Sequence, residues 1–155
     1  MFSWDVSTVT RTLAIVLAAA AGVLVGLQAP VNSRLGKSIG SVQAATFSFV
    51  VGMIALALVA TLFYGGLGSF GQAGKAPAWA WVGGLLGAVY VTVAILTVRT
   101  LGVSGLTALV ICGQLAAAVV IDRFGLLGIA KHSVGVPRIV GLVLLVLGAL
   151  LVVRR

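Results

Sequence analysis

The side chains that could do chemistry in this sequence are mostly amides. Gln28, Asn32 and Gln43 fall within one stretch, Gly22 to Gly52, and Gln114 lies further on, with the phenol of Tyr90 and the carboxylate of Asp122. Amides and phenols donate and accept hydrogen bonds, and neither is a proton carrier near neutral pH. What they offer is recognition of a polar ligand or contact between helices. An amide is costly in hydrocarbon unless it finds a partner, so the cluster GVLVGLQAPVNSRLGKSIGSVQAATFSFVVG requires one or the other. The same two readings stand for Gln114 and Tyr90, each near the middle of an apolar run: a contact to substrate, or glue between helices.

The rest of the inventory excludes much. Asp5 and Asp122 are the acids, and the chain has no Glu. There is no HExxH, no phosphate-binding glycine loop, no His/Cys metal cluster and no carboxylate pair for acid–base work. No Ser in an apolar run is accompanied by a base, which argues against an enzyme; no cofactor and no metal are expected. Asp122 stands at the end of an apolar run beside Arg123, where a boundary ion pair or a loop cap is the default role and proton coupling the alternative. His132 reads as a solvated loop residue, and the lone Cys112, inside an apolar run, as a small hydrophobe. No carboxylate sits in the middle of an apolar run, where cation carriers place one, so a neutral or anionic ligand is expected rather than a cation.

The elements that must position these groups are membrane helices. Only 8% of the 155 residues are charged, against about 25% in soluble domains. The formal charge of +8 does not point to nucleic acid, because the basic residues sit at the edges of apolar runs, where membrane topology places them. At roughly 20 residues per crossing, five spans are expected, at about 12–31, 42–64, 78–98, 103–121 and 137–153. Together they form one all-α integral membrane domain over 1–155, with the lipid bilayer as its surroundings. The first 11 residues read as a short lead, amphipathic or disordered. Arg11, an apolar core and Ala18-Ala19-Ala20 imitate a signal peptide, but the run continues to Val31, too far for one, so it is read as a retained helix.

Boundary residues agree with these spans. Asn32-Ser33 and Ser41 are expected as caps or turns. Pro77 and Pro137 fall near helix starts, and Tyr64, Trp79 and Trp81 fall at span ends. Pro30 is expected to kink or end the first helix. At 100° per residue, Gly83, Gly87, Tyr90, Ala94 and Thr97 share one face of the third span, and Ser104, Thr107, Gln114, Ala118 and Asp122 one face of the fourth. Gly22 with Gly26, and Gly83 with Gly87, are small-residue pairs suited to close helix packing.

Five spans put the termini on opposite sides. Arg11, Lys75, Arg123, Lys131 and Arg138 then face one side, and Arg34, Lys37, Arg99, Arg154 and Arg155 the other. This even count gives no orientation. Either one short stretch decides topology, or copies insert both ways and pair antiparallel.

Two blocks carry a resemblance. The first is Gly26-Leu27-Gln28-Ala29-Pro30-Val31-Asn32 with Leu35-Gly36, Ile39-Gly40-Ser41, Ala44-Ala45 and Phe49-Val50-Val51-Gly52. The second is Gly113-Gln114-Leu115 with Ile121-Asp122-Arg123-Phe124-Gly125-Leu126-Leu127-Gly128; Arg138, Gly141 and Leu147-Gly148 follow. On these the chain resembles the YdcZ-type inner-membrane exporter family of bacteria, short members of the drug/metabolite transporter superfamily. The resemblance implies a five-helix half of a ten-helix inverted-repeat transporter in the cytoplasmic membrane. It implies an antiparallel homodimer, or a heterodimer with a related five-helix protein, moving a small molecule by alternating access. It makes Gln28, Asn32, Gln114 and Asp122 the positions to watch. The alternative is a non-transporting membrane subunit that pairs with or stabilises another membrane protein.

Overall fold

The computed structural model describes residues 10–154. Residues 1–9 of the expected lead, Asp5 among them, and Arg155 lie outside the described residues. The described residues are all helical and turn, without strands: α1 Arg11–Ile39, α2 Ser41–Phe63, α3 Gly83–Phe124 and α4 Val136–Val153. Short 3-10 helices run over Gly68–Lys75, Ala78–Val82 and Leu126–Gly128. Four stretches, Arg11–Ile39, Ser41–Phe63, Ala78–Phe124 and Val136–Val153, are long and apolar enough to cross a membrane. The expected third and fourth spans both fall in the Ala78–Phe124 stretch, on either side of Gly102. There the backbone leaves helical geometry (φ 71°, ψ 166°), a conformation open to glycine and closed to most other residues.

The chain divides after Leu96 into two compact units. In the first, α1 and α2 form a tight helical hairpin about Gly40. The α1 N-terminus is capped by Thr10, whose hydroxyl accepts from the Leu13 N–H at 3.3 Å. At the other end the Gly40 N–H donates to the Gly36 carbonyl at 3.0 Å, and its own carbonyl accepts from the Ala44 N–H at 3.0 Å. One glycine at φ 93° therefore ends one helix and begins the next.

Two expectations are corrected here. Pro30 does not end α1, which continues to Ile39. A proline forfeits one backbone bond and crowds the carbonyl four residues back. Against that cost, Ala29, Asn32, Ser33 and Gly36 form the buried stripe of α1 on both sides of Pro30, and their packing holds the helix together. For the same reason Asn32 and Ser33 are helix-interior residues and not caps. Ser41 is the first residue of α2 and makes no side-chain cap bond.

The core of this unit is small: Ala44, Ala45, Val91 and Ile95, with Leu35 and Tyr90 packed against it. It exists because backbones come close. A Cβ at Gly36 would lie 3.1 Å from Ile95 Cγ2 and 3.7 Å from the Ala44 Cβ, and one at Gly87 would lie 3.2 Å from the Phe49 ring. Among the described residues, by contrast, a Cβ on Gly22, Gly26 or Gly83 meets nothing within 4 Å.

In the second unit the latter part of α3 runs antiparallel to α4. A Cβ at Gly105 would lie 3.6 Å from Val153 Cγ2, the Cys112 thiol donates to the Leu145 carbonyl at 3.7 Å, and Asp122 meets Arg138 at 2.8 Å. Pro137 sits in the first turn of α4, where a missing N–H costs little.

Gly36→Val should lower the thermal unfolding midpoint of the detergent-solubilised protein, with a cost of about 1–3 kcal/mol for overpacking. Gly22→Ala, in open space, should leave the midpoint unchanged or raised. Equal destabilisation by both, read by circular dichroism, would contradict the packing assigned to Gly36.

Candidate functional site

A polar cluster lies where α1 faces the start of α3. On α1, Asn32 is only 6% exposed, and its Nδ2 donates to the Ser48 hydroxyl of α2 at 3.2 Å. A buried amide away from water needs such a partner. The hairpin supplies it by symmetry: in an antiparallel pair turning at Gly40, the residue eight before the turn faces the residue eight after it. Asn32 and Ser48 are that pair. The symmetry was present in the sequence, but without the turn residue fixed it gave no partner for Asn32.

Gln28, Ala29 and Asn32 of α1 together with Tyr90, Val91 and Ala94 of α3 line a narrow crevice, too tight to admit a water molecule. Three of the five side chains singled out as cavity groups therefore meet in one place. Tyr90 is half-buried there, and Gln28 stays exposed at the edge. Ligand pockets run to roughly 300–1,000 Å³, so the crevice is a packed contact between polar side chains and not a ligand pocket in this conformation. Gln28 also borders a second space, an open groove of about 1220 Å³ along α2, from Ser48 to Tyr64 and on to Phe70. No charged side chain lines either space.

The other sequence candidates lie elsewhere. Gln43, expected in a ring with Gln28 and Asn32, is exposed and curls back over Gly40. It occupies the third helical position of α2, where a Gln side chain folds towards the helix start. Gln114 is on the exposed surface of α3 in the second unit. Asp122, expected as a boundary charge beside Arg123, pairs with Arg138 across the hairpin, and Arg123 is exposed. The Asp122 carbonyl also accepts from the His132 N–H at 2.9 Å, so one residue ties both the start of α4 and the connection before it. Sequence proximity favoured Arg123, but consecutive helix positions point about 100° apart, while Arg138 arrives from the facing helix. The described residues hold no group of His, Cys, Asp or Glu able to bind a metal ion.

A double-mutant cycle on Asn32→Ala and Ser48→Ala should return a coupling of about 0.6–1.7 kcal/mol, as for hydrogen bonds between membrane helices. Additive effects on unfolding in mixed detergent micelles would mean that the contact contributes nothing to stability.

Residues 13–151, from the first turn of α1 nearly to the end of α4, match the family described as "Putative inner membrane exporter, YdcZ". Among curated proteins and among solved structures, none gives a significant match. The span of that match takes in both polar blocks, the Gln28–Asn32 crevice and the Asp122 boundary pair, and by it the chain belongs to the YdcZ family of inner membrane proteins.

Proposed function

We propose that this chain is half of a membrane transporter, exporting an unidentified small molecule across the bacterial cytoplasmic membrane by alternating access. The observation that carries the reading is the crevice where Gln28, Asn32 and Tyr90 converge inside an otherwise apolar helix packing. Hydrogen-bonding groups gathered without charge suit a neutral or anionic cargo. They do not suit a cation, which needs a carboxylate.

The working unit is five crossings. A straight helix of 42 residues would extend about 63 Å, twice the roughly 30 Å of the hydrocarbon core. The break at Gly102 divides it into two lengths that each fit. Five crossings are half of a ten-helix inverted-repeat architecture. The even split of basic residues supports the second half being an oppositely oriented copy or a related five-helix chain. Gln114 and Asp122 would then serve in the cavity and at its mouth. The second reading, a subunit that only pairs with another membrane protein, draws on Gly22 and Gly26, where an added Cβ would meet nothing within 4 Å among the described residues.

Two measurements separate these. Cells expressing the protein should enrich at least one metabolite in the medium, and Gln28→Leu with Tyr90→Leu should cut that enrichment about tenfold. That is the effect expected when hydrogen bonds of about 1–2 kcal/mol are lost. Equal spent media from wild type and double variant, at equal membrane levels, would leave the subunit reading in possession. A reporter fused after Arg155 should signal from both sides of the membrane; signal from one side alone would end the dual-topology homodimer and leave the heterodimer.

A further inference from the structure

We propose that the connection between α3 and α4 holds an anionic phospholipid, its phosphate on Arg123 and Lys131 and its chains against Leu126, Leu127 and Ile129. This site lies outside the crevice and does not depend on the transporter reading.

The first argument is charge. Residues 122–138 carry three cations, Arg123, Lys131 and Arg138, against one acid, Asp122. That acid is taken by Arg138 at 2.8 Å. It is also the one acid among the described residues, so Arg123 and Lys131, both exposed, have no carboxylate there to pair with. Two like charges held together call for an anion that the described residues do not supply. A phosphodiester answers, since Arg and Lys both bind phosphate oxygens.

The second argument is placement. Arg123 stands in the last turn of α3 and Arg138 in the first turn of α4. The His132 N–H donates to the Asp122 carbonyl at 2.9 Å, which brings the neighbouring Lys131 to the end of α3. There the lysine stem crosses Gly125, where an added Cβ would lie 2.6 Å from Lys131 Cγ and 3.4 Å from Cε. A stem laid on the backbone has lost much of its freedom before any ligand arrives, which lowers the cost of binding one. Arg34 and Lys37, by contrast, stand one turn apart on the surface of a single helix.

The third argument is what the cations flank. Between Arg123 and Lys131 the chain reads FGLLGIA, and Phe124, Leu126, Leu127 and Ile129 are all exposed. Such a stretch is unfavourable in water. It is favourable at the bilayer interface, where apolar side chains enter the acyl boundary and cations stand at headgroup level. A soluble anion would satisfy the cations and leave the apolar side chains in water. A zwitterionic lipid would cover the side chains and bring a cation of its own. An anionic phospholipid meets both needs.

Ile129 gives a local reporter, because its backbone is extended (φ −80°, ψ 139°) and its side chain is exposed. The full-length protein with Cys112→Ala and Ile129→Cys, carrying bimane at position 129, is placed in phosphatidylcholine vesicles. The probe is phosphatidylglycerol with a nitroxide on its acyl chain, compared with nitroxide-labelled phosphatidylcholine. A basic residue near the surface is worth about fivefold in anionic-lipid binding. Half-quenching by the phosphatidylglycerol is therefore expected at a mole fraction at least about tenfold lower than by the phosphatidylcholine. Arg123→Gln with Lys131→Met, which keeps the lysine stem, should abolish the preference. Either substitution alone should cut it about fivefold, and serves if the pair does not fold. Arg34→Gln with Lys37→Gln should leave it unchanged. Equal quenching by the two lipids, or by neither, overturns the proposal. So does an equal loss of preference in both paired variants, which would mean diffuse attraction to a chain of charge +8. Erasure of the preference by millimolar glycerol 3-phosphate would make this a site for soluble phosphate and overturn the lipid.

Discussion

A polar group inside a membrane protein has no water to fall back on, and the bond between Asn32 and Ser48 answers that constraint. Most of the rest of the first unit follows from it. For the two side chains to meet, α1 and α2 must be antiparallel, close and in a fixed register. The register is set by a single glycine at φ 93°, which reverses the chain without a loop. The closeness is set by Gly36 and Ala44, facing one another four residues on either side of that turn. Leaving Asn32 unpaired would cost the desolvation of an amide, so alternative registers of the hairpin are disfavoured as well as less well packed.

Close backbones also explain why so small a core suffices. Lipid tails are as apolar as leucine, so burying apolar surface gives little drive for helices to associate, and packing and hydrogen bonds must do it. Ile95 settles against Gly36, and Phe49 against Gly87. The crevice beside Tyr90 lies within this close packing, bounded by Ala29 and Ala94, whose short side chains let the helices close until no space for a water molecule is left.

Much of this was legible in the sequence, and what was not has physical reasons. The helical membrane class followed from charge content and the length of apolar runs, because hydrocarbon tolerates few other arrangements. Gln28, Asn32 and Tyr90 were visible as polar groups in apolar surroundings. What one-dimensional pattern could not give was which faces meet. Pro30 read as a kink or an end of the helix because its local cost is real, and only the buried stripe around it shows why the helix does not end there. Gln43 looked like a partner of Gln28 by proximity, yet it sits at a helix start, where its side chain folds back over Gly40. Arg123 adjoined Asp122 in sequence, but the pairing cation came from sixteen residues on. The chosen glycines had the right spacing for packing, yet at three of the four an added Cβ would meet nothing within 4 Å among the described residues, since spacing says nothing about what stands opposite.

The ion pair of the second unit bears on what the polar groups of the chain can do. Asp122 is the one acid among the described residues, and it is engaged by Arg138 at 2.8 Å. Its carboxylate is therefore committed to holding the α3–α4 hairpin, and the crevice and groove of the first unit contain no charge of either sign. On the proposed transporter reading, selection there would rest on hydrogen-bond geometry and apolar fit. Discrimination of that kind is strongest against molecules that leave a buried donor or acceptor unpaired, because the penalty falls on the protein's own group as much as on the ligand. Asn32 has its partner already, so on that reading the groups that would judge a ligand are Gln28, Ser48 and Tyr90: an amide and two hydroxyls, each able to donate and to accept.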